Sequence, residues 1–167
     1  MSQEEHQLAP LSVDPTKLRE LEQELHKLRR NDLQYRTLLM SMPAAILLED
    51  ENRGIMQVNQ QFCDLFGMTQ RPDELIGVDC SRSADYSKHL FADPEGFVQR
   101  INQVLSQREL VQGETIEMAD GRLLERTYIP LFLDGYYLGH LWRYSDVTEQ
   151  RRLLAQLRAV QSNEARN

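Results

Sequence analysis

The sequence predicts an α+β domain set between two long amphipathic helices, and three observations carry that prediction. Short apolar runs bounded by turn residues give two strands early in the chain and three late in it, with helical patterns between the two groups. Leucines recur at heptad spacing ahead of this block. An aromatic strand then runs directly into Ser145-Asp146-Val147-Thr148-Glu149 and a second leucine-bearing helix, with no linker between them.

Composition limits what such a chain can do. With 167 residues and 41% hydrophobic content, one domain with a sizeable core is expected. The net charge of −7 argues against nucleic acid or an anionic membrane as a partner, since either repels the chain at long range. The apolar runs are too short for a transmembrane span or signal peptide. Cys63 and Cys80 lack CxxC spacing and histidine partners, so they read as free thiols of a cytoplasmic protein.

In order along the chain, residues 1–15 are polar and aperiodic and predict a disordered tail. Residues 16–42 carry Leu18, Leu21, Leu25, Leu28, Asp32, Tyr35, Leu39 and Met42 in one heptad register until Pro43 stops it. A helix packed on its own domain would give the first half of this pattern; four heptads favour a parallel coiled coil, a dimer seam in which Asp32 helps fix register. Within 43–146, Ile46–Leu48 and Ile55–Val58 read as strands joined by a turn at Glu51–Gly54, with Gly54 free to take positive φ. Asn59 opens a short helix with Phe62, Leu65 and Phe66 on one face, and Gly67 closes it. Asp93-Pro94 opens a second, with Phe97, Ile101, Val104 and Leu105 as its buried stripe. Strands near Thr115–Met118, Leu123–Leu133 and Tyr136–Ser145 follow, joined by Asp120-Gly121 and Asp134-Gly135. A helix then occupies 147–167, capped by Asp146, whose carboxylate would accept from the backbone N–H of Thr148 or Glu149 while Glu149 reaches back to Asp146 N–H in a capping box.

Asn59-Gln60-Gln61-Phe62, Leu65-Phe66-Gly67, Glu74-Leu75-Ile76-Gly77 and the terminal Asp146-Val147-Thr148-Glu149, in a ββααβββ order, together resemble a PAS (Per-Arnt-Sim) sensor domain over roughly residues 36–149. The last motif is similar to the Asp-Ile-Thr signature with which bacterial PAS domains hand over to a signalling helix. The resemblance implies a five-stranded antiparallel sheet flanked by helices, a pocket between them, dimerisation, and control of an effector such as a histidine kinase or diguanylate cyclase. Asp146, Val147, Thr148 and Glu149 are then the signal relay. The chain would be the sensory piece of a longer protein and would carry no catalytic residue itself.

Departures from marked subfamilies narrow the cofactor. Cys80 falls where flavin-binding photosensors place their reactive cysteine, but its neighbours Gly77-Val78-Asp79 and Ser81-Arg82-Ser83 do not match. The helix opening at Pro94 carries no histidine for a haem, and His89 just before it reads as a solvated loop residue. Neither flavin nor haem is expected.

Strand alternation places Leu138, His140, Trp142 and Tyr144 on one face, with Leu124, Arg126 and Tyr128 on the corresponding face of the neighbouring strand. Arg126, Tyr128, His140 and Tyr144 would converge among walls from Met56, Phe62, Phe66 and Trp142, a setting for a small anionic ligand. The alternative is a filled core in which Arg126 pairs with a carboxylate such as Glu117 and nothing binds. Ile129 and Leu141 fall on the outer face, where a helix of this chain or of a partner would cover them at a dimer interface.

Other function classes fit less of the chain. The histidines (His6, His26, His89, His140) are scattered, and neither GxSxG nor HExxH occurs, so no enzyme constellation is visible. A ligand-free dimerising adaptor or protein-interaction module remains the alternative to a sensor.

Overall fold

The computed structural model describes residues 14–164. Most of the expected tail, residues 1–13, lies outside the described residues. Pro15, however, begins helix α1 (Pro15–Ser41) instead of ending the tail. Asp14 caps it, its carboxylate accepting from Thr16 N at 2.9 Å, and proline at the first turn gives up only an N–H that would have no helical partner. The chain divides into two compact units, one ending at Leu38 and one starting at Leu39. None of the α1 residues is buried, including Leu18, Leu21, Leu25, Leu28 and Tyr35; Leu39 is half-buried. Asp32 pairs with Arg36 one turn on, at 2.9 Å.

The second unit is built on one antiparallel sheet of five strands in the order β2-β1-β5-β4-β3. These are β1 (Ala45–Asp50), β2 (Ile55–Val58), β3 (Val111–Glu117), β4 (Leu123–Leu133) and β5 (Tyr136–Asp146). Helices α2 (Gln60–Leu65), α3 (Ser83–Ser87) and α4 (Pro94–Gln107) follow β2, and α5 (Thr148–Glu164) follows β5. Asn59 pins α2 to the sheet. Its side-chain oxygen accepts from Ile46 N and Phe62 N at 2.9 and 3.0 Å, and its amide donates to Ala44 O at 2.7 Å. Asp93 caps α4 through Gly96 N at 2.9 Å. Phe97, Ile101 and Val104 of α4 are buried as the stripe predicts, with Leu105 half-buried. They pack with Phe62, Phe91, Tyr128 and Trp142 into one core on the inner face of the sheet.

Two backbone details depart from the expectation. In the β1–β2 turn, positive φ falls on Arg53 (71°), not on Gly54. The Asp50 carboxylate folds the turn by accepting from Asn52 N and Gly54 N at 2.9 and 2.8 Å, and a Cβ on Gly54 would lie 2.8 Å from that carboxylate. Glycine is needed there for close approach, while Arg53 takes the left-handed conformation with its guanidinium anchored. The second detail is a β-bulge where β4 and β5 shift register between Leu131 and Phe132. Leu138 is the extra residue on β5, so alternation reverses there. Leu138 is therefore exposed instead of joining the inner face, and Tyr137 turns inward in its place.

Candidate functional site

Strand parity sets the inner face of β4 and β5. Leu124, Arg126, Tyr128, His140, Trp142 and Tyr144 are all buried, while Ile129 and Leu141 pair across the strands on the outer face, Ile129 exposed and Leu141 half-buried. The eight residues expected to form one pocket do not line one. Met56 sits on the outer side of β2 and is 47% exposed. Phe62, Phe66, Trp142 and Tyr144 line an inner cavity with Leu47, Glu49, Arg53, Cys80 and Phe97, about 50 Å³ in volume. Arg126 lines a separate cleft between α4 and β3. Tyr128 and His140 lie on neither wall and instead extend a buried polar chain.

That chain is organised by Glu49, which the sequence reading missed. Glu49 is fully buried on β1, opposite His140 of β5, and the two side chains hydrogen-bond through His140 Nε2. Arg53 donates from Nε to the same carboxylate at 2.8 Å and from Nη2 to the Cys80 carbonyl at 3.0 Å. With His140 Nε2 donating to Glu49, Nδ1 accepts from the Tyr137 hydroxyl at 2.5 Å, and Tyr137 lies 3.4 Å from the Tyr128 hydroxyl. Burial acts to raise the Glu49 pKa, but the His140 hydrogen bond and the Arg53 charge outweigh it and hold the carboxyl below its usual range. The group facing the inner cavity is thus a carboxylate with a fixed counter-charge. Burial, then the Glu49 charge, pushes the Cys80 thiol up to about 12, so it stays protonated at neutral pH and is a poor nucleophile.

Arg126 is paired internally, but with Glu114 and not Glu117. Its Nε and Nη2 donate to Glu114 Oε2 at 2.9 and 2.6 Å. Burial raises the Tyr144 hydroxyl pKa, against the opposing pull of the nearby Arg126 charge.

The exit from the sheet is the second functional feature. Asp146 Oδ1 accepts from Thr148 N at 2.9 Å and from the Thr148 hydroxyl at 2.5 Å. The same hydroxyl accepts from Leu123 N at 2.9 Å, and Val147 N donates to Leu123 O at 2.9 Å. Val147 is buried, and Arg151 reaches Thr115 on β3 at 3.2 Å. These bonds tie the first turn of α5 to three strands. Glu149 makes no side-chain hydrogen bond among the described residues, so the capping box does not form; the Thr148 hydroxyl instead donates to the Asp146 carboxylate and accepts from Leu123 N. The Thr148 bonds hold the Asp146 carboxyl below its ordinary pKa.

A family model described as PAS fold matches residues 39–152, and the chain belongs to the PAS fold family. Among solved structures, the PAS domain of BvgS from Bordetella pertussis superposes with a TM-score of 0.54 at 21% identity, covering 80% of this chain and 98% of that one. The E. coli DhaR(N)–DhaL complex superposes at 0.58 and 15% identity, covering 76% and 39%. A PAS domain from Colwellia psychrerythraea gives 0.46 at 18%, covering 70% and 98%. At these identities the likeness shows the fold alone. The comparison with curated proteins returned no match. Among the described residues no helix is long and apolar enough to cross a membrane, and no cluster of metal-ligating side chains occurs.

Proposed function

We propose that the chain is a cytoplasmic sensory and dimerisation module that relays a signal from its sheet through α5 to an effector, a histidine kinase or diguanylate cyclase in cis or a partner kinase. The observation that carries this reading is the junction at Asp146, Val147 and Thr148. A helix bonded at its first turn to β3, β4 and β5 has no hinge at its root, so a shift between these strands moves its far end. Exposed Leu153, Leu157 and Val160 at spacings of four and three, together with the α1 seam, support a homodimer in which a second copy covers both stripes. The outer-face pair Ile129 and Leu141 fits the same dimer. The acidic charge supports protein partners over nucleic acid.

The test is the output of a fusion in which α5 continues into a kinase or cyclase catalytic domain. Asp146→Ala should cost about 1 kcal/mol of stability yet change the set point of output by far more than that loss of folded protein explains. Output equal to wild type at equal folded fraction would remove the relay. A second reading, a dimerising relay without a small-molecule signal in the inner cavity, is favoured by that cavity's small size, about 50 Å³.

A further inference from the structure

β3 is an outer strand of the sheet, and part of its free edge is open. Met118 N donates to Arg122 O at 2.8 Å across the β3–β4 turn, and the register pairs Ile116 with Leu124 and Glu114 with Arg126. Hydrogen-bonded pairs alternate along an antiparallel ladder, so Met118, Ile116 and Glu114 turn their backbone groups to β4, while Glu117 and Thr115 turn theirs outward. The chain itself uses this edge at one place. Phe91 bridges Met118, with Ala92 N donating to Glu117 O at 3.0 Å and Ala119 N to Leu90 O at 2.8 Å. That short sixth lane ends where Asp93 and Pro94 turn the chain into α4. Beyond it lies an opening of about 270 Å³, with Ala92, Asp93, Gly96 and Arg100 on one side. Glu114, Thr115, Ile116 and Glu117 line the other side without a gap. Side chains alternate between the faces of a strand, so this wall is the edge of β3 and not one of its faces.

The charges along the opening select its occupant. Three carboxylates (Asp93, Glu114, Glu117) and two guanidiniums (Arg100, Arg126) line it, and both guanidiniums are held by Glu114. Glu117 is exposed. The β3 edge of a second copy would set Glu114 and Glu117 against acidic counterparts, which is unfavourable. We propose that this edge takes up an extended segment of a partner protein with basic side chains, paired to β3 as a strand that continues the Leu90–Ala92 lane. The Thr115 backbone supplies ladder bonds, Glu117 attracts the basic side chains, and Ile116 and Phe97 meet the side chains that face inward. The bulge between Val111 and Glu114 twists β3 beyond this point, so the lane is short and the charge carries much of the selectivity. The binding is independent of the relay reading, although it falls beside the root of α5, where the Thr115 hydroxyl accepts from Arg151 Nη2 at 3.2 Å.

Calorimetry on the whole chain tests it, with an end-blocked Lys-Val-Lys-Val-Lys peptide as the probe. Two controls accompany it: the Glu-Val-Glu-Val-Glu peptide, and the lysine peptide with every backbone nitrogen methylated, which keeps the charge and has no backbone donor. Saturable binding is expected for the lysine peptide, and affinity about tenfold or more weaker for the methylated one. Glu117→Lys should weaken the lysine peptide about fivefold, while Glu22→Lys, the same charge change on α1, should leave it unchanged. Amide exchange at Thr115 should slow when the lysine peptide is bound. No saturable heat from the lysine peptide would overturn the site. So would equal binding of the methylated peptide, which would mean attraction to acidic surface without an added strand, or equal weakening by Glu117→Lys and Glu22→Lys. Protection of the Thr115 amide that rises with protein concentration in the absence of peptide would give the edge to a second copy and would also overturn it.

Discussion

Glu49 is the residue on which the polar interior turns. Its carboxylate is held by His140 and Arg53, and through His140 it is linked to Tyr137 and Tyr128. The folded state lowers its pKa below the ordinary value of 4.5, so it binds protons less readily than in the unfolded chain. The stability it contributes is therefore present above pH 4.5 and lost as pH falls through the lower folded value. Glu114 has the same sign: burial opposes ionisation, but the bonds from Arg126 and Arg100 prevail. Denaturant titrations from pH 7 downward should show stability falling below about pH 4.5, with a shallower fall in Glu49→Gln; identical slopes in the two proteins would contradict the pairing. Gly139 makes a sharper case. At φ 124° it sits so close to β1 that an added Cβ would lie 2.0 Å from the Glu49 carbonyl oxygen. Gly139→Ala should cost several kcal/mol, on the order of 3 or more, and unfolding at wild-type denaturant concentration would show the approach to be looser than described. Arg126, His140, Trp142 and Tyr144 were legible because period-two alternation decides burial on a strand. Glu49 was not, because it opens an acidic run, Glu49-Asp50-Glu51, that reads as a solvated turn, and its partners lie on a distant strand. Tyr137 was hidden by the bulge, which no local pattern in the sequence announces.

At the scale of elements, the junction between β5 and α5 is stiff for a countable reason. Thr148 satisfies one orphan donor of β4 while its own N–H and hydroxyl are held by Asp146. Thr148→Val keeps the shape but leaves Leu123 N without its acceptor, and should cost about 1–3 kcal/mol. Hydrogen exchange should then speed up at the first turn of α5 and at Leu123 together; acceleration at α5 alone would mean that the strand and helix are not coupled there. The capping role of Asp146 could be read from the sequence, because an aspartate before a polar helical run satisfies a known orphan donor. Its partner is one of the two that local spacing offers, Thr148 N; the reciprocal bond from Glu149 is not formed, and the Thr148 hydroxyl instead accepts from Leu123 N, 25 residues back along the chain. The β4–β5 hairpin was legible for a similar local reason, since Asp134 and Gly135 both take the positive φ that its tight turn requires.

For the whole molecule, the two exposed leucine stripes on α1 and α5 leave apolar surface that a second copy can bury. Leu25→Asp puts a charge in the middle of the α1 seam and should shift a dimer toward monomer in sedimentation, with Tyr35 and Leu39 unable to compensate. A monomeric wild type, or an unchanged dimer in the variant, would contradict that assembly. Whether α5 transmits as a rigid rod is tested most directly by a phase series. One to seven residues are inserted between α5 and a fused kinase or cyclase domain, and basal output is measured for each length. A rod passing rotation or register to a paired helix predicts output that oscillates with a period of about 3.5 residues and returns near the original level at seven. Output that is flat, or that declines steadily with insertion length, would mean that the helix is a tether and that the sheet does not drive the effector through it.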